Sequence, residues 1–423
     1  MPSVRECKIG LLGCGTVGQG VVELINRNRS AIRERSGVDL SLTRILVRDM
    51  SKPRSGVESR LLTNEPEQVI RNGCDVIVEL VGGLEPARSF IERALNNRKP
   101  VVTANKALLA LDGLGLLNRA AANRVPFGFE ASVCAGIPIV RALQRGLVGN
   151  TIQSITGILN GTSNYILTRM DESHLEFDEA LREAQAKGFA EADPALDIEG
   201  HDAAQKLKIL SELAFAGSLP PNGVRVQGIQ DIAQSDVEAA RKLGSVIRLV
   251  AAAEAQNGGI SLRVQPLLLP RAHPLASVRN ENNAVLVKGD AVGEMLFQGK
   301  GAGSLPSASA VLSDIVEIAS NRRAVPRTLR RALSTTEIDL EYARYVRFPV
   351  PEPSAIGTIT TTLAKYGIAV ARAAATWARR PGERHEVKLM TLPCKEARLK
   401  LALREIVASG TPNGNYLAVP LVA

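Results

Sequence analysis

Cys7-Lys8-Ile9-Gly10-Leu11-Leu12-Gly13-Cys14-Gly15-Thr16-Val17-Gly18 is the stretch on which the fold turns. A short apolar run enters three glycines spaced Gly-x-Gly-x-x-Gly. Val17, Val21, Leu24 and Ile25 then recur at helical spacing, followed by a polar tail to about Arg35. In a strand–turn–helix of this kind the first glycine permits the tight turn. The second lets a pyrophosphate approach the backbone, and the third lets helix and strand pack closely. The helix start adds unpaired N–H groups and partial positive charge. The pattern predicts a dinucleotide-binding turn, with Gly13, Gly15 and Gly18 at the ligand.

Working outward, residues 42–47, 75–81 and 101–103 read as further buried strands, and 86–97 as a helix. Strands alternating with helices and ending in glycine or polar turns imply an α/β fold: a parallel sheet with helices on both faces, of the Rossmann type, over residues 1–140. Past about residue 130 the pattern becomes mixed. An amphipathic helix over 202–215 carries Ala203, Leu207, Leu210 and Ala214 on one stripe, within an α+β block over 141–306. A helix over 307–320 opens a segment, to about 340, that completes the first domain. In the tail, Pro349, Pro351 and Pro353 mark a turn region. Strand, helix, two strands, helix and strand then suggest a separate ferredoxin-like module over 345–423.

The chain has 423 residues and is 45% apolar, enough for two or three cores. No apolar run approaches the ~18 residues of a membrane span, and the start lacks a secretory pattern, so a cytoplasmic enzyme is expected. Five cysteines are scattered singly, which disfavours disulfide frameworks and metal knuckles. The net charge of +9 suits phosphorylated cofactors and anionic substrates. With only 3% aromatics and no basic stretch interleaved with them, nucleic-acid binding is not expected.

Three clusters carry chemistry. The second strand ends in Arg48-Asp49, followed by Lys52 and Arg54. The acid could take a ribose hydroxyl, but the positive charges favour a 2′-phosphate, hence NADP, with NAD possible. Glu191, Asp193, Asp197, Glu199, Asp202 and Lys206 form an acid–lysine cluster. Asp202 and Lys206 are four apart and share a helix face. A lysine held there could protonate a carbonyl oxygen as hydride reaches its carbon. On spacing alone an ordinary surface ion pair is the better reading. Lys106 follows a short buried strand at the ligand-binding edge of the sheet, as does Gly82 after an earlier strand. The Glu130 segment, with Val133, Ala135 and Ile137, offers a carboxylate and turning carbonyls, hard ligands suited to a monovalent cation.

Together these segments resemble homoserine dehydrogenase. The resemblance is carried by the glycine turn, Thr103-Ala104-Asn105-Lys106, Glu130 to Pro138, Asn160-Gly161-Thr162-Ser163-Asn164-Tyr165, the stretch from Gly188 to Lys206, and Gly299-Lys300-Gly301-Ala302-Gly303. It implies NAD(P)H-dependent reduction of L-aspartate 4-semialdehyde to L-homoserine. It implies Lys206 as proton donor, Lys106 and Asp202 as further catalytic residues, and Glu191, Asp197, Asn160 and Thr162 at the substrate. Thr16, Val17 and Gly303 would join the cofactor site, and sodium would sit on Glu130 and the carbonyls of Val133, Ala135 and Ile137. A homodimer or homotetramer is implied, with 141–306 as its catalytic and dimerisation domain. The tail resembles an ACT regulatory module for an amino-acid effector, except that Ser354 stands where such modules carry glycine. Two other readings stay open: a thioester-forming semialdehyde dehydrogenase using Cys134, and a nucleotide-sensing regulator without turnover.

Overall fold

The computed structural model describes residues 4–71, 73–256, 258–320, 331–336, 339–378, 385–412 and 414–422. The first sheet contains β1 (Arg5–Leu12), β2 (Val38–Leu46), β3 (Leu62–Thr63), β4 (Val76–Glu79), β5 (Val101–Thr103) and β6 (Phe127–Gly128). All pairs are parallel, in the order β3-β2-β1-β4-β5-β6. Its central strands are apolar on both faces because helices cover both. Helices Thr16–Ser36 and Ser304–Ser320 bury Val21, Ile25, Val311 and Ile315 against Ile9, Leu11, Val76 and Val78. Helices Ala87–Asn96 and Lys106–Ala122 bury Ile91 and Leu108 with Leu12, Ile77 and Val101 on the other face. The returning helix at 304–320 packs on this unit, whereas Thr335, within the expected 307–340 segment, bridges to Ile260 outside this sheet; residues 321–330 and 337–338 of that segment lie outside the described residues. The strand order reverses between β1 and β4, and the glycine turn lies at that reversal, where ligands bind in open α/β sheets.

A second, mixed sheet contains β7 (Ile152–Ile158), β8 (Arg225–Val226), β9 (Ser245–Gln256), β10 (Gly259–Pro270), β11 (Asn282–Gly289) and β12 (Gly293–Lys300). It continues into β13 (Glu341–Val350), β14 (Val370–Thr376), β15 (His385–Thr391), β16 (Cys394–Lys395) and β17 (Leu417–Leu421). The main path is β12-β11-β7-β9-β10-β17-β13-β15-β14. Helices Gly161–Ser173, His201–Ala214 and Gln234–Lys242 bring Ile166, Leu207, Leu210 and Val237 into one core with Ile155, Ala251, Ala253 and Val264 of the sheet.

The tail has the expected strand–helix–strand–strand–helix–strand order. Its four long strands lie β17-β13-β15-β14, with helices Ala355–Lys365 and Glu396–Ala408 packed together over Val346, Phe348 and Leu389. This is the ferredoxin-like arrangement. The tail is not detached, however: Leu421 of β17 pairs in parallel with Leu268 of β10, and the Val422 N–H donates to the Leu268 carbonyl at 3.0 Å. Pro349 also lies inside β13 rather than in a turn. Pairing between β13 and β17 stops at Arg347, so beyond it β13 is an edge, where proline is tolerated. Among the described residues no helix is long and apolar enough to cross a membrane.

Candidate active site

The three glycines of the turn have three distinct surroundings. Gly13 has φ +97°, and a side chain there would meet the Leu80 carbonyl at 2.8 Å. A Cβ on Gly18 would lie 2.5 Å from the Gly13 carbonyl oxygen. Around Gly15 there is open space. The first and third glycines thus serve the fold, and the second keeps room for a ligand. Gly15 caps helix Thr16–Ser36 with no side-chain cap, so the first N–H groups of that helix remain available to phosphate. The turn opens on a cleft of about 770 Å³ whose walls include Thr16, Arg48, Lys52, Arg54 and Gly82.

Arg48 and Lys52 are exposed and, among the described residues, have no ion-pair partner. Asp49 is turned inward on itself: its Oδ1 accepts from the Ser51 N–H and hydroxyl at 2.8 and 2.6 Å. Arg54 donates to the carbonyls of Asp49 and Lys52 at 3.0 and 2.8 Å, fixing this loop; it lines the cleft with Arg48 and Lys52. The second glycine cluster is tied to the turn at Ser304, whose hydroxyl donates to the Thr16 carbonyl at 2.8 Å. That contact brings Gly303, at φ +121°, beside the glycine turn.

The reaction end is built from side chains. Lys206 is 7% exposed. Its Nζ donates to Asp202 Oδ2 at 2.8 Å and to the Leu159 carbonyl at 2.7 Å. Asp202 Oδ2 also accepts from Asn160 Nδ2 at 2.8 Å, and Asp202 Oδ1 is paired with Lys106. Asn160 Nδ2 donates again to Asp197 Oδ1 at 2.7 Å, while its Oδ1 caps helix Gly161–Ser173 at the Ser163 N–H. Thr162 donates to the Phe189 carbonyl at 2.6 Å. Lys106 comes from the first helical turn after β5, and Lys206 from helix His201–Ala214. The ion pairs therefore join the nucleotide unit to the mixed-sheet unit.

Electrostatics follow from this packing. Burial by itself would raise the Asp202 carboxyl, but Lys206 and Lys106 outweigh it and hold the group well below the usual carboxylate range. Burial would lower Lys206, but Asp202 prevails and keeps it above the ordinary lysine value. Asp197 is raised, by burial first and then by the negative Asp202 beside it. The cluster thus holds two cations on one strongly ionised carboxylate, with a second carboxylate left partly uncompensated.

Glu191 is exposed, and among the described residues its side chain makes no contact with this cluster; its carbonyl accepts from Gln185 Nε2 at 3.2 Å. Glu130 is 3% exposed. Its two carboxylate oxygens accept from the N–H groups of Val140 and Arg141 at 2.9 and 2.8 Å, and burial pushes its carboxyl up. The turn that holds Val133, Ala135 and Ile137 is bonded to the second glycine cluster, with the Ala135 N–H on the Gly301 carbonyl. Cys134 is 1% exposed, and burial pushes its thiol up to about 11. It is a protonated core thiol, not an activated nucleophile, and the thioester reading loses its only candidate.

The sequence reading assigned no role to Glu79, and Thr103 and Asn105 entered it only as part of the segment that carries the resemblance. Glu79 is fully buried at the end of β4, where its Oε2 accepts from the Thr103 hydroxyl at 2.6 Å. The available signal was a carboxylate closing an otherwise apolar strand, Val76-Ile77-Val78-Glu79.

A glycine turn at the sheet's reversal point and a buried lysine–carboxylate site define a nicotinamide-dependent oxidoreductase of small molecules. Residues 13–130 match the family described as homoserine dehydrogenase, NAD binding domain, and residues 138–316 match homoserine dehydrogenase itself. The chain is 43% identical to the homoserine dehydrogenase of Bacillus subtilis over 322 residues, 76% of this chain and 74% of that one. A solved homoserine dehydrogenase from Thiobacillus denitrificans superposes with a TM-score of 0.89 at 38% identity, covering 99% of this chain and 98% of its own. A hyperthermophilic archaeal homoserine dehydrogenase mutant in complex with NADPH superposes at 0.63 with 27% identity, over 77% of this chain and all of its own. The chain belongs to the homoserine dehydrogenase family.

Proposed function

We propose that the chain catalyses the reversible NAD(P)H-dependent reduction of L-aspartate 4-semialdehyde to L-homoserine, the step that feeds threonine, methionine and isoleucine synthesis. The observation that carries this is the buried Lys206 ammonium, held by Asp202 and the Leu159 carbonyl in a chain of this family. A bound nicotinamide supplies the hydride to the aldehyde carbon. Lys206, or a water it holds, delivers the proton to the aldehyde oxygen, and Asp202 keeps the lysine charged until then. Asp197 takes the substrate's ammonium group, which supplies the positive charge its burial lacks, with Asn160 and Thr162 beside it; Glu191, exposed and outside the cluster, would join only through the bound substrate. Lys106 completes the site from the nucleotide side.

NADP is the preferred cofactor in this reading, supported by Arg48 and Lys52, which have no ion-pair partner among the described residues; Gly13, Gly15, Thr16 and Gly82 line the cleft, and Val17, Gly18, Lys106 and Gly303 complete the proposed cofactor set around it. Sodium is the proposed occupant of the Glu130 segment, where the buried carboxylate, already accepting two backbone N–H groups, and the carbonyls of Val133, Ala135 and Ile137 would supply hard oxygen donors. Bound there, the ion would brace the turn that touches Gly301. Residues 1–140 with the returning helix form the nucleotide domain, 141–306 the catalytic and dimerisation domain of a homodimer or homotetramer, and 345–423 an ACT-like module. Ser354 in place of glycine removes the close backbone approach to an amino-acid effector, so assembly is the better-supported role of that module.

The test is to follow reduced-nicotinamide absorbance with L-homoserine and each oxidised cofactor at alkaline pH, with and without threonine. Turnover is expected, faster with NADP. Cofactor binding without turnover would instead favour a nucleotide-sensing regulator.

A further inference from the structure

We infer that Glu79 is a positioning residue that couples the cofactor-side loop to Lys106; the inference rests on the reaction proposed above. Glu79 is a carboxylate with no exposure and with no cation in contact among the described residues. Such a group is costly to bury unless its oxygens are fully engaged. Here they are engaged by groups of two different loops. Oε1 accepts from the N–H groups of Val81 and Gly82 at 2.8 and 3.0 Å, and Oε2 accepts from the Thr103 hydroxyl at 2.6 Å.

The bonds close into a ring. The Thr103 oxygen accepts from the Asn105 N–H at 3.0 Å, and Asn105 Nδ2 donates to the Gly83 carbonyl at 2.7 Å. Asn105 Oδ1 then caps helix Lys106–Ala122 by accepting from the Leu108 N–H at 3.1 Å. The first residue of that helix is Lys106, which reaches Asp202. The same loop also backs the glycine turn, since Leu80 is the neighbour that a side chain on Gly13 would strike. One buried carboxylate therefore fixes the cleft wall at 80–83 and the start of the helix that presents Lys106.

Charge, and not shape alone, is needed. All three donors point at the carboxylate. An isosteric amide would set an N–H₂ against either the two backbone N–H groups or the Thr103 hydroxyl, leaving a donor unpaired in a dry site. The ring would open, and both loops would loosen together.

The test is Glu79→Gln, with Asn105→Ala as a second variant that opens the same ring without touching Glu79. Both should bind NADPH roughly three- to tenfold more weakly by the fluorescence of the bound dinucleotide. Both should lose roughly 10- to 100-fold in kcat, with KM for L-homoserine little changed. In a Lys106→Ala background, Glu79→Gln should add little further loss in kcat, because the two act through one route. The inference falls if the losses multiply in the double variant, or if NADPH affinity and kcat per folded molecule both stay within about twofold of the parent. If the parent chain itself does not turn over homoserine, the proposed reaction fails, while the NADPH affinities still decide the role of Glu79.

Discussion

The two ends of the proposed active site are built from opposite materials. The cofactor end is backbone: glycines, a helix start, and space kept open by the lack of side chains at Gly15. The reaction end is buried charge: Lys206, Asp202 and Lys106 held by one another and by Asn160. The first end should fail when atoms are added, and the second when charges are removed. Each end therefore has its own kind of damage, and the contrast can be tested residue by residue.

The largest effect is expected at the charged end. Lys206→Ala should lower kcat by roughly 10²–10⁴-fold, as for loss of a general acid. In homoserine oxidation the parent's kcat should keep rising with pH towards the lysine range, because Asp202 holds the Lys206 proton above its ordinary value; the variant should lose that rise. The sign for stability runs both ways from the middle of the range. Lys206 contributes below its raised value and loses that contribution as pH climbs through it. Asp202 contributes above the ordinary carboxylate value and loses it only in strong acid, since its folded value is depressed. A melting series across pH would check this.

The backbone end comes next, and here two neighbours should behave differently. Gly18→Ala pushes a Cβ to 2.5 Å from the Gly13 carbonyl and should cost about 1–3 kcal/mol of stability, seen as a lower Tm. Gly15→Ala meets nothing within 4 Å, so Tm should hold while NADPH affinity falls. Equal Tm losses in the two would erase the distinction between a folding glycine and a binding glycine. A smaller, selective change is expected for Arg48→Ala: NADPH should bind roughly tenfold more weakly, as for one lost charge-assisted hydrogen bond, with NADH nearly unaffected. The smallest concerns Cys134→Ala, which should leave kcat within about twofold because a thiol raised to about 11 is not the nucleophile.

The same contrast explains what could be read in advance. The glycine turn, the alternation of strands and helices, and the order of the tail's elements are local signals, and each was legible because a turn or an amphipathic stripe is encoded in neighbouring residues. The acid–lysine pair was visible as a spacing, but its burial comes from Leu159 and Asn160 on another segment, so spacing alone read it as a surface pair; the family resemblance corrected that. Chain proximity also grouped Glu191 with Asp197 and Asp202, whereas in the fold Glu191 is exposed. The Glu79 ring draws on residues 79–83 and 103–105, brought together by parallel pairing of β4 and β5, and no periodicity announces it. The join between β10 and β17 was hidden for the same reason: its partners are distant in sequence and share one registered pair.

That join bears on the solubility of the chain. β10 is a long strand with Leu267, Leu268 and Leu269 near its end, and on the side away from β9 it is met by β8 at Arg263 and Val264, by Thr335 at Ile260, and by β17 at Leu268. An apolar strand left open on one side is a template for pairing with other chains. The tail's last strand occupies the leucine end of that side, so a chain cut before β13 would present bare leucine-rich backbone to its neighbours in solution. In that sense the last strand of the tail covers the leucine-rich edge of the mixed sheet.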